Sequence, residues 1–117
     1  MDLRELGAHG ERLAADYLIE KHFQVIERNW RCHFGEVDLV CLDQNDEIVF
    51  VEVKTRESLE SGYPEDSVTD AKRRHLAAVG ESFLEERHWG NRPFRFDVVA
   101  IYLVPWAKPE ILHLQGI

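Results

Sequence analysis

Two stretches of the chain place apolar residues at helical spacing. Leucines and alanines recur at steps of three and four over residues 3–22, which predicts an amphipathic helix. Ser67 or Thr69 can cap a second helix that ends near Trp89-Gly90. The apolar face of that helix carries Leu76, Val79, Gly80, Phe83 and Leu84. Each helix therefore has one face suited to packing on a sheet.

The rest of the chain alternates in the manner of β-strands. The strand-like runs cover residues 23–30, 36–42, 47–55, 94–104 and 110–114. The polar residues 43–46 join the second and third runs, which predicts a β-hairpin, whereas the polar residues 56–64 predict a mobile loop. The order α-β-β-β-α-β-β predicts a single domain over residues 1–117, a three-layer α/β/α fold with a central mixed sheet.

Composition and charge narrow the class of protein. With 117 residues, 44% hydrophobic and 31% charged, the chain is typical of one soluble domain. Two cysteines are too few for a disulfide framework, and Cys41 lies in an apolar run that favours burial. The N-terminus lacks a signal-peptide pattern and the apolar run 98–104 is far too short for a membrane span, so we expect a cytoplasmic protein. The net charge of −8 argues against non-specific coating of nucleic acid, so any contact with DNA must be local.

The hairpin brings two acidic residues towards each other. Side chains alternate between the faces of a strand, so Glu52 and Lys54 share one face of the third strand. In the second strand, the face opposite Asp38 carries Val37, Leu39 and Cys41. If the apolar faces of both strands lie on one side, the turn length sets Asp38 directly across from Glu52.

Two carboxylates in that position need a proton or a cation to neutralise their negative charge. Directly opposed side chains have Cβ atoms about 4.5–5.5 Å apart, and covered carboxylates at this distance repel and are costly to desolvate. Either one takes up a proton or a cation lies between them. Mg²⁺, with Mn²⁺ as a substitute, suits two carboxylates, water and substrate phosphate oxygens. Lys54 could orient a water or stabilise charge at phosphorus. The alternative is a solvated rim of charges at the strand ends.

Three further residues bear on this hypothesis. Lys72 lies at the start of the second helix, on its buried side, and with Arg73 it forms a suitable phosphate-binding place. The alternative for Lys72 is a side chain that packs its stem and extends its ammonium into solvent. Glu11 flanks the apolar face of the first helix and either reaches the same cluster or is a surface glutamate.

Five blocks of sequence follow one another in order: Gly10-Glu11, Gly35-Glu36-Val37-Asp38, Phe50-Val51-Glu52-Val53-Lys54-Thr55-Arg56, Lys72, and Arg95-Phe96-Asp97-Val98-Val99. Together they resemble the bacterial YraN-like family, a branch of the PD-(D/E)XK nuclease superfamily, and that family is similar in outline to archaeal Holliday-junction resolvases. The resemblance covers residues 7–103. The resemblance implies a restriction endonuclease-like fold.

The resemblance also implies roles for individual residues. Asp38 and Glu52 match the metal-binding carboxylates, and the backbone of Val53 would supply a carbonyl ligand. Glu11 matches the glutamate that completes the metal shell through water, and Lys54 matches the catalytic lysine. Substrate binding is expected at Lys72, Arg73, Thr55 and Arg56. Asp97 belongs to the family pattern without an assigned role.

The sequence therefore predicts a Mg²⁺-dependent phosphodiesterase that cuts DNA, with Asp38, Glu52 and Lys54 as its catalytic residues. Structured or branched DNA would suit a homodimer, because both then share a two-fold axis. Two other interpretations stay open. One is a module that keeps the fold and binds nucleic acid or a protein partner without cutting. The other is hydrolysis of a small phosphorylated substrate.

Overall fold

The structure, a computed structural model, describes residues 2–57 and 69–117. Its elements are α1 (Leu3–Glu20), β1 (Gln24–Cys32), β2 (Gly35–Leu42), β3 (Ile48–Arg56), α2 (Asp70–Arg87), β4 (Phe94–Tyr102) and β5 (Glu110–Leu114). This order confirms the predicted α-β-β-β-α-β-β arrangement. Most of the predicted mobile loop, residues 58–64, and the alternative helix cap Ser67 lie outside the described residues.

The five strands form one mixed sheet in the order β1-β2-β3-β4-β5. Neighbouring strands are antiparallel except β3 and β4, which are parallel. Parallel neighbours need a connection that returns the chain to the starting end of the sheet, and α2 lies in that connection.

A helix packs on each face of the sheet, which confirms the three-layer prediction. The first core cluster joins α1 to the sheet and includes Ala14, Ala15, Leu18, Leu39, Cys41, Val49 and Val51. The second joins α2 to the other face and includes Val37, Val40, Ile48, Phe50, Val79, Phe83 and Leu84. The clusters share no buried residue, so the sheet separates two distinct layers of core.

Val37 departs from the predicted alternation. It was expected beside Leu39 and Cys41, yet it packs in the cluster under α2. In the described β1–β2 ladder the pairs run from Arg28 to Trp30 without one at Asn29, whose φ of +52° is left-handed. The register is the same on both sides of Asn29, and the shift in this ladder lies between Val25 and Glu27.

The ends of the elements follow local hydrogen bonding. Thr69 is the observed cap of α2, since its side chain accepts from the backbone N–H of Lys72 at 3.1 Å. The first helix ends at Glu20, two residues earlier than predicted, and His22 then adopts a left-handed φ of +70°. β4 ends at Tyr102 instead of residue 104. Among the described residues, no helix is long and apolar enough to cross a membrane.

Candidate active site

The β2–β3 pairing delivers two acidic residues to one place. The observed pairs, from Leu42 with Ile48 to Leu39 with Val51, follow the predicted register. One step further, that register would pair Asp38 with Glu52, but the ladder ends before it. Instead the Asp38 Oδ2 atom accepts a 2.7 Å hydrogen bond from the backbone N–H of Val53. A side chain thus takes the place of a strand partner, and the two strands separate where the acids lie.

Glu52 is held by two lysines from different elements. Its Oε1 atom lies 2.8 Å from the Nζ atom of Lys54 on the same strand and 2.8 Å from the Nζ atom of Lys72 on α2. Burial alone would raise the pKa of Glu52, but the hydrogen bonds and charges of the two lysines outweigh it and hold the pKa below its usual value. We call Asp38, Glu52, Lys54 and Lys72 together the Glu52 site.

The second carboxylate oxygen of Glu52 is different. Within residues 2–57 and 69–117, Oε2 is buried and has no hydrogen-bond partner. Most buried polar atoms in proteins are paired, and an unpaired carboxylate oxygen carries the full cost of its desolvation. Since both lysines are bound to Oε1, the described chain leaves the burial of Oε2 uncompensated.

Asp38 lies in strongly acidic surroundings. Burial raises the pKa of Asp38 to about 6, and the nearby carboxylates of Glu11, Glu52 and Glu36 add to that rise. The hydrogen bond from the Val53 N–H opposes the rise without cancelling it. A cation beside Asp38 would favour its ionised form, because opposite charge stabilises a carboxylate.

Gly10 explains how α1 comes close to this place. A Cβ atom on Gly10 would lie only 1.8 Å from the Oγ1 atom of Thr55, so the helix rests directly on the end of β3. The residue after Gly10 is Glu11, whose charge then acts on Asp38. The Gly-Glu pair is therefore a packing requirement followed by a charged residue at the site.

The predicted site residues divide into two groups. Glu11, Asp38, Glu52, Lys54 and Lys72 come together, and the Lys72 ammonium binds Glu52 instead of extending into solvent. The other three predicted binding residues have contacts outside the set that binds Glu52. Thr55 packs under Gly10, Arg56 donates to the Thr55 carbonyl at 3.3 Å, and exposed Arg73 lies 3.7 Å from Asp70.

A cavity of about 400 Å³ adjoins the Glu52 site. Asp38 and Glu52 line one side of it, and α2 forms another wall. The rest of the lining is largely apolar, with Val37, Phe50, Leu76, Val79 and Phe96, and it also includes the polar residues Glu36, Lys72, His75 and Asp97. The two acids therefore open onto a space of the size that small ligands occupy in proteins.

The donor set suits a hard divalent cation. Among the described residues, no group of three or more His, Cys, Asp and Glu side chains is arranged to hold a metal ion. Mg²⁺ commonly binds through one or two carboxylates and keeps several waters. Asp38 and Glu52 are the carboxylates that could hold such an ion here, and the Val53 carbonyl belongs to the same strand as Glu52.

A second buried ionic cluster lies in β4 and β5, and the sequence alone assigns it no role. Asp97 is fully buried and accepts hydrogen bonds from His113 Nε2 at 2.8 Å, Arg95 Nε at 3.1 Å and Gly116 N at 3.0 Å. Arg95 also lies 2.7 Å from Asp43. We call Asp97, Arg95 and His113 the Asp97 cluster. Its signal in the sequence was a single carboxylate inside the apolar run 94–104, since a buried charge needs partners.

Comparison with known proteins gives a consistent result. Residues 10–101 match the family model described as "Uncharacterised protein family UPF0102". A UPF0102 protein of Caldicellulosiruptor saccharolyticus is 46% identical over 115 residues, covering 98% of this chain and 95% of that protein. A UPF0102 protein of Rhodococcus opacus is 47% identical over 112 residues, covering 94% and 92%. One from Clostridioides difficile is 38% identical over 116 residues, covering 99% and 98%.

Proposed function

The chain belongs to the UPF0102 family, the YraN-like family that its sequence resembles, and from that premise we propose that it is a Mg²⁺-dependent DNA endonuclease of the PD-(D/E)XK superfamily. The observation that carries the proposal is the buried Oε2 atom of Glu52 near Asp38, which has no partner within residues 2–57 and 69–117, while the Lys54 ammonium binds the other oxygen of the same carboxylate. This combination of two acids and one amine suits phosphodiester hydrolysis.

Asp38 and Glu52 would hold the cation, with the Val53 carbonyl as a further ligand and Glu11 acting through water. When bound, Mg²⁺ supplies a Lewis acid for the scissile phosphate and lowers the pKa of a bound water. Mn²⁺ would fill the same place. Glu52, whose pKa is held low, supplies negative charge that attracts the ion, whereas Asp38, whose pKa is raised chiefly by burial and also by nearby carboxylates, ionises more readily once a cation is present.

Lys54 is the residue we assign to the reacting groups. Its ammonium is partly buried and fixed by Glu52, so its charge points to the same place as the acids. From there it can orient the attacking water or stabilise the negative charge that develops at phosphorus. Lys72 would fix the Glu52 carboxylate and tie α2 to the sheet, since it shares the Oε1 atom with Lys54.

Two observations favour a second candidate, a module that binds nucleic acid or protein without cutting. In the described part of the chain, no group of three or more His, Cys, Asp and Glu side chains is arranged to hold a metal ion, and the net charge of the protein is −8. Such a module need not bind metal at the Glu52 site. Calorimetric titration of Mg²⁺ into the protein distinguishes the two candidates.

We expect one Mg²⁺ site whose heat is lost in Glu52→Gln, which keeps the shape of the side chain but removes its charge. Glu81→Gln is the matched control, because Glu81 is exposed on α2 and away from the site. A wild-type protein that takes up no Mg²⁺ or Mn²⁺, or a Glu52→Gln variant that binds them unchanged, would overturn the metal site.

Cleavage is tested on a panel of linear, flapped, branched and four-way DNA beside free nucleotides. We expect metal-dependent cuts in DNA, lost in Asp38→Ala, Glu52→Ala and Lys54→Ala while each variant stays folded. Hydrolysis of nucleotides without cleavage of DNA would assign the site to small phosphorylated substrates instead.

A further inference from the structure

The cavity beside the Glu52 site has the character of a pocket for a flat, partly apolar group. Its volume is about 400 Å³, at the lower end of the range that ligand pockets span. Partly exposed Phe96 supplies an aromatic surface, and Phe50 stacks on it with ring centres 5.3 Å apart. Glu36 and His75 lie on the polar border of the cavity and can exchange hydrogen bonds with a ligand.

The position of the cavity connects it to the proposed chemistry. Asp38 and Glu52 belong both to the Glu52 site and to the lining of the cavity. A phosphate group held at the two acids therefore has the cavity directly beside it. In DNA, the group attached to that phosphate through the sugar is a base.

The charge of the protein makes a base contact more important than usual. Proteins gain most non-specific affinity for DNA from cationic side chains at phosphates. This chain has a net charge of −8, and at the site itself both Lys54 and Lys72 are bound to Glu52. Stacking of a base on an aromatic ring contributes about ten- to a hundredfold in affinity and does not depend on phosphate contacts.

We propose that the cavity receives one unpaired nucleobase next to the scissile phosphate, so that the substrate is DNA with an unpaired nucleotide at the point of cleavage. This inference rests on the proposed function and names its substrate class. In a continuous duplex the base is paired and stacked, and it would have to leave the helix before entering the cavity. Single strands, flaps and unpaired junction positions offer the base without that cost.

The test uses DNA that carries the fluorescent base 2-aminopurine, with Ca²⁺ present in place of Mg²⁺. The probes are a short single strand, the same sequence as a perfect duplex, the strand with an abasic site at the fluorescent position, and the free 2-aminopurine nucleotide. We expect a fluorescence change with the single strand. By anisotropy of end-labelled DNA, we expect about tenfold weaker binding of the duplex and the abasic strand.

Ala71→Phe is the informative variant. Ala71 is exposed in the first turn of α2 and lines the cavity, so a phenyl group there covers the opening without disturbing the core. Arg74→Phe is the matched control, because Arg74 is exposed on the same helix and does not line the cavity. Ala71→Phe should lose the fluorescence change and the preference for single strands, whereas Arg74→Phe should keep both.

Each outcome separates this inference from the proposed function. Equal binding by the two variants, or a duplex bound as tightly as the single strand, would overturn the base pocket, while Mg²⁺-dependent cutting of both DNA forms would leave the endonuclease proposal standing. A fluorescence response without cleavage of any DNA by the Mg²⁺-loaded protein would overturn the endonuclease and keep the pocket. A free nucleotide that binds as tightly as the strand would overturn DNA as the source of the base.

Discussion

The Asp97 cluster and the Glu52 site are both partly or fully buried groups of charges on the same sheet, yet they are completed in different ways. Asp97 receives hydrogen bonds from two side chains and one backbone N–H, and both of its carboxylate oxygens are bound. Among the residues that the structure describes, Glu52 receives two ammonium groups on one oxygen and no hydrogen bond on the other. The first cluster is satisfied by the chain itself, whereas the described part of the chain leaves one acceptor of the second without a partner.

The pKa directions show the same contrast. Burial alone would raise the pKa of Asp97, but hydrogen bonds from His113 and Arg95 outweigh it and hold the pKa below its usual value. At the Glu52 site, the pKa of Asp38 is raised to about 6, chiefly by burial. The two lysines hold the pKa of Glu52 below its usual value as well, so the contrast in direction is between Asp97 and Asp38, whose charge a cation from outside would stabilise. Four variants test this distinction.

The largest expected effect comes from Lys54→Met, which keeps the length of the side chain and removes its charge. We expect cleavage of DNA to slow by about 10²–10⁴, the usual range for a group that acts at the transition state. Mg²⁺ binding should not weaken, because the variant removes a positive charge next to the cation. Rates under single-turnover conditions, with calorimetry in parallel, measure the two quantities.

Lys108→Met is the control for that experiment, since Lys108 is exposed and distant in sequence from the site. Its rate should equal that of the wild type. A Lys54→Met protein that cuts at the wild-type rate with bound Mg²⁺ would remove Lys54 from the reaction, whatever the role of the two acids.

Next in size is the effect of Asp97→Ala on stability. Removing one partner of a buried ion pair leaves the other charge uncompensated and commonly costs about 3–5 kcal/mol. Arg95 retains Asp43 and Glu47, so we expect the lower end of that range, and a melting temperature lower by about 10 °C. Thermal unfolding followed by circular dichroism gives the value. A change of less than about 0.5 kcal/mol would mean that the Asp97 cluster is not structural.

The sequence predicts the fold of this protein better than it predicts which groups pair with its buried carboxylates. Helical and strand spacing locate the elements because core packing imposes them, and the register of β2 and β3 follows from the turn length and the apolar faces. The left-handed backbone conformation of Asn29 and the packing of Val37 under α2 were not predictable, because alternation of apolar and polar residues does not reveal them.

For the site, spacing brings Asp38 near Glu52 but does not show which groups neutralise them. The pairing of Lys72 with Glu52 depends on how α2 crosses the sheet, which its own sequence does not state. Arg95 of the Asp97 cluster also binds Asp43, which lies 52 positions earlier in the chain, and local patterns do not detect contacts over such separations.

A third, smaller effect should come from Asp38→Asn in protein free of divalent cations. Because the pKa of Asp38 rises from 3.8 to about 6 on folding, the native state binds the proton more tightly than the unfolded state. The free energy of unfolding therefore decreases as pH rises from 3.8 through about 6. Asparagine keeps an acceptor for the Val53 N–H and carries no charge. Above pH 6 we therefore expect Asp38→Asn to be more stable than the wild type by about 1–2 kcal/mol, since the side chain is only partly buried. Urea unfolding at several pH values measures the difference. A variant less stable than the wild type at pH 7 would mean that the Asp38 charge supports the fold.

The smallest effect is the acid dependence of Asp97→Asn, and its sign is opposite. The pKa of Asp97 is lowered on folding from 3.8, so the native state binds fewer protons, and the stability that the charge contributes is present above pH 3.8 and is lost as pH falls below it. Asparagine carries no charge and so cannot lose this contribution, and its single side-chain oxygen replaces only one of the two carboxylate oxygens that accept from His113 and Gly116. The difference in stability between wild type and Asp97→Asn should therefore narrow as acid is added below pH 3.8. With Asp38→Asn the difference should instead grow between pH 3.8 and about 6. Two parallel profiles would contradict the distinction between the two clusters, because both carboxylates would then respond to burial in the same way.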